Sequence, residues 1–154
     1  MPMFNPSQFI REKYSGDVCG PGTVLWISET GGLTQFGAFI HILPPGSSSS
    51  IKHWHSNEDE LVYVLAGSVT LIEAEDEILL GPGDAATFRA GTPVGHCLEN
   101  RGHAPARFLV VGARAALDQV TYPDHDRICH RDRAQPEDVW TDGNGKPASN
   151  PYET

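Results

Sequence analysis

From Gly22 onward the apolar residues fall into short runs separated by glycine, proline, asparagine and serine, and none repeats at helical spacing. Val24–Ile27 is apolar, and Thr34–Leu43 is a longer run ended by Pro44-Pro45-Gly46. Four serines at 47–50 read as a loop. Ile51–His55, Glu60–Leu65 and Ser68–Glu73 follow, then Glu77–Leu80, Ala85–Phe88, Gly95–Glu99 and Ala106–Gly112. Gly81-Pro82-Gly83-Asp84, Ala90-Gly91-Thr92-Pro93 and Asn100-Arg101-Gly102 break the series. Short strands at even spacing predict an all-β sandwich or barrel, of which a jelly roll is a natural member. Upstream, Asn5-Pro6 predicts a short helix reaching Tyr14, because proline suits a first helical turn. Downstream, Asp142-Gly143 and Asn144-Gly145 are tight-turn dipeptides. With Trp140 before them and Tyr152 after, they predict an ordered terminal hairpin. The expected organisation is one domain over residues 1–154, with a barrel core at about 22–113 and a tail at 114–154.

Candidate chemistry is concentrated in His53-Trp54-His55-Ser56-Asn57-Glu58-Asp59-Glu60. Residues i and i+2 of a strand share a face, so His53 and His55 can converge on one ion while Trp54 points the other way. Glu60 opens the next strand and can add an oxygen, although Glu58 and Asp59 are also acidic. His96 lies about three strands later and can return beside the pair in a rolled-up sheet. His41, His103, His125 and His130 have no such company, and Cys97, next to His96, reads as packing.

The span Gly46…His53-x-His55-x4-Glu60-x6-Gly67 resembles the first motif of the cupin superfamily, and Gly83-Asp84…Gly91…His96-x3-Asn100 resembles the second. There are departures. Six residues rather than five follow Gly46, Arg89 stands where the second motif has proline, and four residues separate Gly91 from His96. The stretch from Ala90 to Arg101, with Leu33–Gly37 and Trp54, is similar to a subgroup of short bacterial cupins. Most of these are uncharacterised, and some carry a sugar-phosphate isomerase label. The resemblance implies a double-stranded β-helix, a jelly-roll barrel, with an N-terminal extension. It implies one divalent transition metal held by His53, His55, Glu60 and His96. Nitrogen and oxygen donors suit Fe, Mn, Ni, Co or Zn alike.

The formal net charge is −9, from 11 basic and 20 acidic side chains. A surface of that sign repels phosphate backbones and anionic lipid, so neither nucleic acid nor membrane is an expected partner. Cys19, Cys97 and Cys129 are odd in number and widely spaced, which argues against a disulfide framework. With no leader pattern read at the N-terminus, a cytoplasmic location is expected. The expected function is a metal-dependent enzyme acting on a small oxygenated, anionic metabolite, by isomerase/lyase or dioxygenase chemistry. Tyr63 is the candidate proton-transfer residue, with His41 and His103 also candidates by type. The alternative is a non-catalytic small-molecule-binding barrel. A homodimer is expected, with an outward Trp54 in its interface.

Overall fold

The computed structural model describes residues 2–153, so the first and last residues of the expected domain lie outside it. Among the described residues the chain forms β1 (Ile10–Gly16), β2 (Gly20–Trp26), one helical turn α1 (Ile27–Thr30) and β3 (Phe36–Leu43). Then come β4 (Trp54–His55), β5 (Glu60–Ala66), β6 (Val69–Glu73), β7 (Asp76–Leu80), β8 (Ala85–Phe88), β9 (His96–Glu99) and β10 (Ala106–Ala113). The tail supplies β11 (Leu117–Tyr122), β12 (Arg127–Asp132) and β13 (Val139–Thr141). Every pairing is antiparallel, in sheets ordered β1-β2-β3-β10-β5-β8, β13-β12-β11-β4 and β7-β6-β9. The jelly-roll reading is therefore correct, and the strand runs read from Val24 to Gly112 match β2–β10 to within a few residues.

Period-two alternation decides what faces the core. In β5, Val62 and Val64 are fully buried while Leu61, Tyr63 and Leu65 are exposed. In β10, Ala106, Phe108 and Val110 point inward. They pack with Leu43, Val69, Leu71, Leu80 and Leu98, closing the six-stranded sheet onto the three-stranded one. Each full burial of such an apolar side chain contributes about 1.5–3 kcal/mol. Glu60 has the parity of Val62 and Val64, which turns a carboxylate into the barrel.

Two expectations are corrected. Asn5 does cap Pro6, its side chain accepting from Ser7 N–H at 3.0 Å, but the turn ends at Gln8 and β1 follows. The cause is tertiary. β1 pairs along its length with β2, and Tyr14 lies over Gly22 to meet His41 Nε2 at 2.5 Å. The tail, too, is more than a hairpin. β11 pairs with β12 and with β4, so residues from beyond the barrel complete the sheet that carries His55. Trp140 and Tyr152 pack against Tyr122, as ordered anchors would.

Candidate metal centre

An isolated antiparallel bridge sets His53 opposite His96. Each backbone N–H donates to the other's carbonyl, at 3.2 and 3.0 Å. Gly95, next to the bridge, lets Pro123 pack close, because a Cβ there would meet Pro123 Cγ at 3.0 Å. The two rings stand 4.9 Å apart between centroids, and His53 is 5.1 Å from His55. Glu60 reaches in from β5, with Oε1 3.5 Å from His96 Nε2 and Oε2 4.0 Å from His55 Nε2. One ligand atom each from His53, Glu60 and His96 lies within 4.8 Å of the others. Donors about 2.1 Å from one ion stand roughly 3–4 Å apart, a spacing that this trio approaches, whereas His55 falls into a second group, with Glu58 and Asp118, and meets the first through Glu60.

The histidines are oriented from behind. His53 Nδ1 donates to Ile51 O at 2.9 Å. His55 Nδ1 donates to Asp118 Oδ2 at 2.6 Å. Both thereby turn Nε2 toward Glu60's side of the site. Phe88 stacks flat on His96, with centroids 3.5 Å apart and planes at 3°. His96 Nε2 is buried without a hydrogen-bond partner. Such an atom costs about 1–3 kcal/mol. A ligated cation would satisfy this nitrogen, and the all-nitrogen-and-oxygen donor set fits a divalent transition metal.

Asp118 carries no motif signal, and only the fold reveals it. It is buried, and besides His55 it accepts from Asn57 N–H at 2.9 Å and Ser56 Oγ at 3.2 Å. Burial alone would raise its pKa, but these hydrogen bonds and the charge of His55 hold it below the usual carboxylate range. The same contact acts on His55. Burial opposes its protonation, yet the Asp118 hydrogen bond and the charges of Glu60, Asp118 and Glu58 outweigh that and raise its pKa. His53 is shifted the other way, by burial and then by neighbouring His96. Glu58, the rival ligand in the motif, stands behind His55 beside Asp118, with Oε2 3.7 Å from His55 Nδ1. Its Oε1 accepts from Ala115 N–H at 3.0 Å and from Arg133 at 2.6 Å.

Two cavities flank the candidate ligands, one beside His55 and His96 and the other over the outer face of the large sheet, where Leu61, Thr87 and Val111 lie. One, of about 160 Å³, is lined by Trp54, His55, Glu73, Phe88, Arg89 and His96 among others. The second, about 620 Å³ and more open, is lined by residues including Phe36, Glu60, Leu61, Phe88, Arg89 and Val111.

Several sequence-predicted positions are corrected here. Tyr63 is 42% exposed on the outer face of β5, the parity opposite to Glu60, so it is not an interior proton-transfer residue. His41 does face the core, but among Phe39, Phe108 and Tyr14 rather than beside the ligands. His103 is exposed. Trp54 is half-buried, paired with Thr121 of β11, and lines the smaller cavity instead of standing on an open outer sheet.

The family model described as the Cupin domain matches residues 39–112. No curated protein matches the chain. Among solved structures, a cupin-superfamily sugar phosphate isomerase from Silicibacter pomeroyi is 35% identical, covering 96% of this chain and 97% of that one at a TM-score of 0.85. A candidate sugar phosphate isomerase from Acidithiobacillus ferrooxidans is 26% identical over 94% of this chain and 92% of that one, at 0.81. A Thermotoga maritima protein predicted to be an oxalate decarboxylase is 24% identical, covering 73% of this chain and 99% of that one at 0.63, a likeness of fold alone.

Proposed function

Because the chain belongs to the cupin superfamily, we propose that His53, His55, Glu60 and His96 hold one divalent transition metal and that the protein is an isomerase acting on a small oxygenated, anionic metabolite. The observation that carries the metal is the buried His96 Nε2, aimed at Glu60 with no other partner. The sugar phosphate isomerase names of two relatives favour isomerisation over dioxygenation. A metal bound here would supply Lewis-acid polarisation of a substrate carbonyl or hydroxyl oxygen.

The chain's own residues do the rest. Asp118 and the Ile51 carbonyl fix which nitrogen His55 and His53 present. Phe88 and Trp54 wall the smaller cavity and shield the centre from water. Moving a proton between carbons needs a base within reach of the substrate. Glu73 takes the role first expected of Tyr63. It sits opposite His96 in the β6–β9 register and lines the same cavity, and among the described residues its side chain makes no hydrogen bond or ion pair. A non-catalytic binding barrel is the alternative, and a metal-loaded protein inert toward aldose and ketose phosphates would favour it. The three free cysteines suit a reducing cytoplasm. Among the described residues, no helix is long and apolar enough to cross a membrane.

The test is metal content by mass spectrometry on untagged protein, beside His53→Ala/His96→Ala. Near one equivalent in the wild type and none in the double variant is expected. Wild-type protein that holds no metal and takes up none when it is added would sink the proposal.

A further inference from the structure

Arg89 lies at the junction of the two cavities. Both linings include Thr87, Phe88 and Arg89. From this strip one cavity reaches His55 and His96, while the other runs over the outer face of the sheet and touches Glu60 at the start of β5. Arg89 is the one lysine or arginine in either lining, whereas Glu58, Asp59, Glu60 and Glu73 are all acidic. In a chain of net charge −9, such walls alone would turn an anion away.

The guanidinium is also uncommitted. Arg101, Arg114, Arg131 and Arg133 each have a carboxylate partner, while the side chain of Arg89, exposed at the end of β8, makes no hydrogen bond or ion pair among the described residues. The acid beside Glu60, Asp59, is occupied by Ala90 N–H at 2.7 Å. An arginine presents a planar fork of donors that matches carboxylate and phosphate oxygens two at a time. Arg89 also occupies the place where the resembled motif has proline, which has no charge and no donor.

We infer that Arg89 is a specificity-determining residue, holding a second, terminal anionic group, carboxylate or phosphate, of a substrate whose oxygens engage the metal centre. The inference rests on the proposed metal site. It defines a substrate with two recognition points: an oxygen pair at His53, His55, Glu60 and His96, and an anion at the cavity junction. A neutral sugar or a simple hydroxy acid satisfies only the first.

The experiment uses cobalt-loaded protein and two ligand pairs that share a chelating head. Lactate against malate differs by a terminal carboxylate, and glycerate against 3-phosphoglycerate by a terminal phosphate. Affinities come from calorimetry, with cobalt absorption reporting the centre. In at least one pair the wild type should prefer the longer anion by roughly 10- to 100-fold, the span of one or two charge-assisted hydrogen bonds. Which pair responds identifies carboxylate or phosphate. Arg89→Gln should cut that preference to about threefold or less, with cobalt content unchanged, and Arg89→Lys should retain part of it. A preference that survives in Arg89→Gln overturns the inference, as does a wild type that binds all four ligands alike. Protein that takes up no cobalt overturns the metal site itself, an outcome seen before any ligand is added.

Discussion

Asp118 touches no candidate ligand atom other than through the back of His55, yet it decides what His55 can do. A neutral imidazole donates from one nitrogen and ligates with the other, and the 2.6 Å hydrogen bond to Asp118 assigns the donor to Nδ1. Removing such a carboxylate from behind a ligating histidine costs metal affinity rather than a ligand. Asp118→Asn should weaken metal binding by about 10- to 100-fold in a chelator competition titration, with the fold intact by circular dichroism. Unchanged affinity would detach Asp118 from the centre. At the same scale, Phe88 shows a core residue doing site work. It packs against the barrel core on one side and holds the His96 ring flat on the other.

At the scale of elements, the centre depends on how β5 is held at both ends. Glu60 begins the strand, and Gly67 ends it in a turn with φ +71°. A Cβ on Gly67 would lie 2.6 Å from Pro105 O and 2.9 Å from Ala106 Cα, which are backbone atoms with no room to yield. Gly67→Ala therefore combines positive-φ strain with a backbone clash. It should lower stability by about 1–3 kcal/mol, seen as a drop of several degrees in melting temperature. An unchanged melt would mean the turn relaxes freely. The metal content of the variant protein that remains folded should match the wild type, since Glu60 lies at the far end of the strand.

For the whole molecule, the outer face of the large sheet is what a monomer leaves over. Leu61, Tyr63 and Leu65 on β5 are exposed, next to half-buried Leu109 and Val111 on β10 and Ile40 on β3. Contiguous apolar surface of this kind marks an interaction site. We propose that the expected homodimer pairs through the Tyr63, Leu65 and Ile40 part of this face, leaving Leu61 and Val111 to line the larger cavity, and a two-fold axis would set the same patch on both subunits. Tyr63→Asp/Leu65→Asp should elute as a monomer from a sizing column while keeping its metal. Trp54→Asp, altering the cavity instead, should leave the elution volume unchanged. A wild type that is itself monomeric at micromolar concentration would refute the assembly.

Local pattern was enough for much of this protein, because strand periodicity and turn residues act over a few positions. Alternation around His53-x-His55 put two imidazoles on one face, and breakers at Gly81–Asp84 and Asn100–Gly102 marked the strand ends. The β5 parity was legible too. Glu60-x-Val62-x-Val64 is an inward series that places Tyr63 outside, and it is the signal by which the Tyr63 expectation could have been avoided. Contacts between distant segments were not legible. Asp118 meets His55 across 63 positions, and β1 replaces the expected helix because Tyr14 finds Gly22 and His41. Alternation and turn residues alone account for the barrel strands between Val24 and Gly112, the inward face of β5 and the donor types. Which carboxylate stands behind His55, which wall Trp54 lines and where Arg89 meets the cavities follow from the register between non-adjacent strands, which comes from the packing of the whole barrel and not from any local run of residues.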